Sequence, residues 1–333
     1  MHMESLKLPL EFSSHIGKAE YFAQINVRLS SMKIAISTSS FASIDTTPLE
    51  LLEANGLQVV SNPFGRKMNE EEIINHLQGV DGLLAGLEPL NATVFKNCPQ
   101  LKAITRVGIG MENVDLDAAK KAGIKVSNTP DGPSDSVAEM TLAAALVLSR
   151  SILPANAALH QKQWSKIIGK GLKHTKVLVL GYGRVGQKVA ELFHVFGAKI
   201  MVCDPIIQQA SLSPHFQLVG LKEGLSNAEI VTLHTAGNQP ILKSLEFESM
   251  REGVILMNSA RGALIDEVAL IEALESGKVS SAWLDVFPEE PYTGRLTEYE
   301  QVLLTPHMST YSVQCRKDME TEAVNTLLRD LGV

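Results

Sequence analysis

The sequence predicts an α/β protein of two doubly wound parallel-sheet lobes, and three observations carry that reading. Its 333 residues amount to roughly two domains at about 150 residues each. Two separate series of short β-branched runs alternate with helical patterns, the order that builds parallel strands joined by crossover helices. Between the series lies an Ala- and Leu-rich stretch, Ser136 to about Arg150, apolar on more than one face and therefore in need of wide burial.

Residues 1–31 have no sustained period and read as an N-terminal extension. The first series then runs as strands at 32–38, 57–62, 82–86, 101–108 and 124–128, with helical patterns at 69–79 and 115–123. Another helix is opened by Thr47-Pro48 and stopped by Gly56, because proline suits a first turn and glycine an end. Ser136-Val-Ala-Glu139 has capping-box spacing, which predicts that the long helix begins at Ser136. The second series has strands at 176–181, 199–204, 229–235, 253–260, 280–287 and 302–307, with helices from about Arg184 and over 266–277. A final amphipathic helix, Val313 to Leu331, has no sheet of its own and is expected to return to the first lobe.

Lys and Arg number 30 against 37 Asp and Glu, a net charge of −7. With no basic excess to neutralise a phosphate polymer, nucleic acid is not an expected partner. The longest apolar stretch, Val137 to Ser149, is broken by Glu139 and falls short of the ~20 residues that span a bilayer. The N-terminus lacks the basic-then-apolar order of a secretory leader. Cys98, Cys203 and Cys315 lie far apart and suit reduced thiols better than a disulfide or zinc framework. A cytoplasmic protein without metal or membrane is expected.

The sharpest motif is Gly181-Tyr-Gly183-Arg-Val-Gly186, which follows an apolar strand and enters a helical pattern. Gly181 permits the tight turn, Gly183 lets backbone approach a pyrophosphate, and Gly186 allows close helix–strand packing. Asp204 ends the next strand, 18 positions past Gly186. A carboxylate there accepts hydrogen bonds from ribose hydroxyls and repels a 2′-phosphate, and Pro205-Ile-Ile207 offers no cation instead, so NAD is the expected cofactor. A glycine turn used only for packing is the plain alternative.

Hydride transfer also needs a proton carrier and a cation for the substrate. Three groups stand at the carboxyl ends of later strands, where such sheets place ligands: Arg261, Glu290 and His307. Imidazole can give and regain a proton near neutrality, and a carboxylate beside it favours the protonated ring. Each also has an ordinary surface role, and spacing alone does not make them converge.

The runs NSARGALIDEVALIEAL, AWLDVFPEEP and LLTPH, in that order after GYGRVG, resemble the D-isomer-specific 2-hydroxyacid dehydrogenase family, as does TRVGIGMENVDLDAAKKAGIKVSNTPDGPSDSVAEMT. The resemblance runs from about Met32 to the end. Arg106 to Asp115 and Asp204-Pro-Ile-Ile207 are most similar to its phosphoglycerate dehydrogenase branch. A chain ending at Val333 suggests a short form without that branch's regulatory domains. The resemblance implies two Rossmann-like or flavodoxin-like lobes with the cofactor lobe, 128–309, inserted into a substrate-binding lobe of 32–127 plus 310–333. It implies Arg261 as the clamp on the 2-oxo-acid carboxylate, His307 as acid–base and Glu290 as its carboxylate partner.

Cofactor contacts are implied at Arg184, Val185, Thr235, Ser259, Ala260 and Asp285, the last either an acceptor for the nicotinamide amide or a strand-end cap. Val107-Gly108-Ile109 resembles the loop whose backbone amides grip the substrate carboxylate. The long helix after Ser136 is implied to bridge lobes and to help pair two subunits in a homodimer.

There are departures. Ala85, 21 positions before Arg106, stands where the branch has a phosphate-holding arginine; Arg66, Lys67 and Arg106 are cations that could supply charge from elsewhere, Arg66 and Lys67 being better suited to a solvated face. Met308-Ser-Thr-Tyr311 replaces small residues after His307, and Ala236–Leu242 departs from a proline- and threonine-rich turn. The expected activity is hydride transfer between NAD(H) and a small D-2-hydroxy acid or 2-oxo acid, with 3-phosphoglycerate one candidate. A glyoxylate or hydroxypyruvate reductase, and an NAD(H)-responsive binding protein without turnover, stand as alternatives.

Overall fold

Parallel pairing organises both halves of the chain. The computed structural model describes residues 32–333, so the 1–31 extension lies outside the described residues. The chain divides into two compact units, residues 32–129 with Glu320–Val333, and Pro130–Met319.

The first unit alternates β1 (Lys33–Ile36), α1 (Thr47–Ala54), β2 (Gln58–Val60), α2 (Glu70–His76), β3 (Gly82–Ala85), α3 (Ala92–Asn97), β4 (Ala103–Arg106), α4 (Leu116–Lys121) and β5 (Lys125–Asn128). Its sheet is ordered β2-β1-β3-β4-β5, all parallel. Every residue of β3 is buried, as a central strand covered on both faces requires. Residues from Glu320 onward extend the last helix into this unit and bury Ala323, Val324 and Leu327. At Gly82 a Cβ would stand 2.9 Å from Ile34 Cδ1 and 3.0 Å from Leu331 Cδ1, so the last helix packs closely over this strand.

The second unit contains α5 (Pro133–Ser149), α6 (Ile152–His160), β6 (Lys176–Leu180), α7 (Arg184–Val195), β7 (Lys199–Cys203), β8 (Gln217–Leu218), α8 (Leu221–Asn227), β9 (Ile230–Leu233), α9 (Ser244–Ser249), β10 (Val254–Asn258), α10 (Glu267–Glu275), β11 (Val279–Leu284), β12 (Val302–Leu304) and the start of α11 (Val313–Leu331). The sheet runs β12-β11-β10-β9-β6-β7-β8, again parallel throughout. Apolar clusters cover its two faces, one around Phe193 and Trp283, the other around Leu256 and Leu270. The strand order reverses at β6 and β9, which places the sheet's ligand-binding crevice at their carboxyl ends.

The capping-box expectation at Ser136 is corrected. Helix α5 starts at Pro133, with Gly132 at its cap, and the Ser136 hydroxyl instead donates to Ser309 O at 2.8 Å. Among the described residues no single helix is long and apolar enough to cross a membrane; α5 and α6 reach that length only as a pair bent by 61°.

Candidate active site

The glycine turn joins β6 to α7 at the sheet's reversal point. Gly181 adopts φ +92°, and a Cβ there would lie 2.7 Å from His234 O. A Cβ on Gly186 would lie 2.1 Å from Gly181 O, so helix and turn touch backbone to backbone. Gly183 differs: open space surrounds its missing Cβ. It caps α7, whose first amides, from Arg184, Val185 and Gly186, have no carbonyl one turn earlier to bond within the helix. The Arg184 side chain turns aside to Asp131, 3.1 Å away.

Asp204 sits against this turn. Its carboxylate accepts from Tyr182 N at 2.8 Å and Ile206 N at 2.9 Å. Partial burial opposes the charge, but these amides and that of Ile207 outweigh it and hold the carboxyl below its ordinary range. Next along the sheet, His234 follows β9 and is kept neutral by burial, its pKa pushed down to about 3. Thr235 beside it is half-buried, with its hydroxyl directed to Ala236 O at 3.3 Å.

After β10 the chain turns through Ser259, Ala260 and Arg261. Asn258 braces this turn: its side chain accepts from Ala260 N at 3.0 Å and donates to Arg261 O at 2.9 Å. Arg261 Nη1 donates to Ala260 O at 2.7 Å. The Ser259 hydroxyl is buried and has no hydrogen-bond partner among the described residues. An orphaned buried hydroxyl, an open glycine face and a carboxylate fixed beside it together fit a bound dinucleotide.

Glu290 and His307 meet directly, Oε2 to Nδ1, at 2.9 Å. The other Glu290 oxygen accepts from Phe287 N at 3.1 Å. His307 adopts φ +50°, a left-handed conformation that costs a non-glycine residue roughly 1–2 kcal/mol. The surrounding turn enforces it. His307 N donates to Asp285 O at 2.8 Å. The buried Asp285 carboxylate accepts from Thr305 Oγ1 (2.6 Å), Met308 N (2.9 Å), Ser309 N (2.9 Å) and Ser309 Oγ (2.6 Å). Thr305 in turn accepts from the indole of fully buried Trp283 at 3.0 Å, which ties the turn to the core. Both Asp285 oxygens thus cap the segment that carries His307. Asn258 and Thr305, which sequence reasoning does not single out, and Ser309, which it notes only as a departure after His307, brace these turns; short polar side chains at strand ends are their sole signal.

In the first unit, the loop after β4 leaves little of its backbone unclaimed. Val107 N donates to Ala85 O at 2.9 Å and Gly108 N to Thr129 Oγ1 at 2.7 Å, whereas the Ile109 amide makes no hydrogen bond with a described residue. Ala85 is fully buried. The side chain buried just beyond it is an acid, Glu88, which accepts from Ser37 Oγ and Gly86 N. Its pKa is raised by burial, against those hydrogen bonds. Arg66 is engaged by Glu72 through two contacts of 2.7 and 2.8 Å.

Residues 142–309 match the family model described as D-isomer specific 2-hydroxyacid dehydrogenase, NAD binding domain. A D-3-phosphoglycerate dehydrogenase of Sus scrofa is 37% identical over 294 residues, 85% of this chain and 54% of that protein. The chain therefore spans about half the length of such relatives. A hydroxypyruvate reductase of Thermotoga maritima is 32% identical over 293 residues, covering 85% of this chain and 94% of its own. The crystal structure of the TT0316 protein from Thermus thermophilus superposes with a TM-score of 0.83 at 29% identity, over 90% of this chain and 97% of that one. These matches, together with the parallel-sheet architecture and the placement of the glycine turn, establish that the chain belongs to the D-isomer specific 2-hydroxyacid dehydrogenase family and that its second unit carries the family's NAD-binding domain.

Proposed function

We propose that this chain is an NAD-dependent dehydrogenase that interconverts a 2-oxo acid and the corresponding D-2-hydroxy acid. The observation that carries the reading is the His307–Glu290 pair, 2.9 Å apart, in the unit that also holds the glycine turn, Asp204 and Arg261. When bound, the dinucleotide supplies or accepts hydride at the substrate's second carbon. Gly181 to Gly186, Asp204, Thr235, Ser259 and Ala260 hold it. Arg261 pairs with the substrate carboxylate and draws electron density from the carbonyl. Because Glu290 takes Nδ1, His307 exchanges its proton at Nε2, giving it to the forming alkoxide in reduction and recovering it in oxidation. Glu290 fixes the orientation of the ring through Nδ1, and Asp285 holds the turn that presents it. In the first unit the Ile109 amide is a donor left for a carboxylate.

Within this class an unphosphorylated acid such as glyoxylate or hydroxypyruvate is favoured over 3-phosphohydroxypyruvate. Fully buried Ala85 supplies no cation at its own position, and Arg106, its partner on β4, is shared with the buried acid Glu88. A panel of 2-oxo acids with NADH, followed by its absorbance, tests both statements. The highest kcat/KM is expected for an unphosphorylated acid. Tight NADH binding without turnover on any acid would overturn the enzymatic reading in favour of a dinucleotide-responsive binding protein.

The working form is a homodimer acting in the cytoplasm. Helix α6 buries none of its residues, and the segment after it exposes Trp164 (80%) and Ile168 (98%), an apolar arm suited to a second copy. Its three unpaired cysteines suit a reducing compartment. Sedimentation is expected to give the mass of two chains, and of one chain in Trp164→Asp; a monomeric parent would refute the pairing.

A further inference from the structure

Tyr292 stands two positions past Glu290, in the loop that carries the carboxylate of the acid–base pair. Tyr292 donates its hydroxyl to Glu267 Oε1 at 2.7 Å and accepts from Leu296 N at 3.2 Å. Its ring stacks on Phe287 with centroids 4.4 Å apart and planes 19° from parallel. Phe287 N is the donor to Glu290 Oε1, at 3.1 Å, on the same carboxylate that meets His307. Glu267 is the first residue of α10, capped by Asp266 through Ala269 N at 3.1 Å, so its carboxylate stands on a rigid end where negative charge is favoured. The loop is also confined on the Arg261 side, where a Cβ on Gly262 would lie 2.0 Å from Phe287 C.

We propose that Tyr292 and Glu267 form a strut that fixes the Phe287–Glu290 loop and thereby holds the Glu290 carboxylate against His307, which makes both of them positioning residues for proton exchange. The inference rests on the role given above to that pair. Burial, with the Glu267 hydrogen bond second, pushes Tyr292 up to about 12, so its hydroxyl stays a donor across the working range. Slackening the strut lets the Glu290 carboxylate drift from Nδ1 and leaves the imidazole free to turn away from the orientation proton exchange needs.

Tyr292→Phe, Glu267→Ala and the double variant test this, with Tyr299→Phe as control, since Tyr299 makes a similar bond to Glu275 on the surface at 2.5 Å. NMR of His307 in the cofactor-free protein should show the Nδ1 proton that faces Glu290 exchanging with solvent about threefold faster in each single variant. The double variant should go no further, because both changes break the same contact. The kcat for the best 2-oxo acid should fall about as much at unchanged KM, while Tyr299→Phe moves neither. A lowered Tm with unchanged Nδ1 proton exchange in both single variants would overturn the strut. Faster exchange in a protein that turns over no 2-oxo acid would support the strut and refute the dehydrogenase reading instead.

Discussion

His307→Ala is expected to lower kcat for the best 2-oxo acid by about 10²–10⁴, the range typical of losing a positioned proton donor. NADH affinity should change little, because the glycine turn and Asp204 lie elsewhere on the sheet. The two quantities separate the roles: stopped-flow turnover reads the chemistry and fluorescence titration reads the cofactor. The alanine side chain also removes the Nδ1 contact, while Glu290 keeps its bond from Phe287 N. Wild-type turnover in this variant would refute proton transfer by His307.

Gly186→Ala is expected to weaken NADH binding about 10–100-fold and to lower Tm. The added methyl would stand 2.1 Å from Gly181 O, a main-chain atom that cannot rotate away, and Gly181 is itself pressed against His234 O. Forced overpacking of this kind costs about 1–3 kcal/mol, and the turn that opens to relieve it is the one proposed to receive the pyrophosphate. Gly183→Ala gives the contrast. No protein atom lies within 4 Å of its new Cβ, so Tm should hold while affinity falls. Equal affinity in both variants and the wild type would remove this turn from the binding site.

What can be read from sequence follows from how local the physics is. Gly181, Gly183 and Gly186 announce their turn because steric exclusion at a strand–helix junction acts within a few residues, and Asp204 is legible as the acid at the end of the adjoining strand. The placement of Arg261, Glu290 and His307 at strand ends is equally visible, but the contact between Glu290 and His307 depends on how the 287–291 and 305–309 loops fold back, which no short-range pattern encodes. Asp285 shows the limit most clearly: one carboxylate gathers donors from Thr305, Met308 and Ser309, 20 to 24 positions away. The start of α5 departs from expectation because Ser136 and Glu139 mimic a cap while Gly132-Pro133 supplies the real one. Helices α3, α6, α8 and α9 and strand β8 are absent from the sequence reading, since none of them combines a periodic apolar face with a start or stop signal of the kind that marks α2 and α4.

The turn after β12 divides its labour unevenly between neighbours. Ser309 contributes both its amide and its hydroxyl to Asp285, whereas Met308 contributes only an amide, and 40% of its surface is exposed. An amide is common to every amino acid except proline. Position 308 can therefore diversify during evolution, or in a designed library, without unseating the adjacent imidazole, and position 309 cannot.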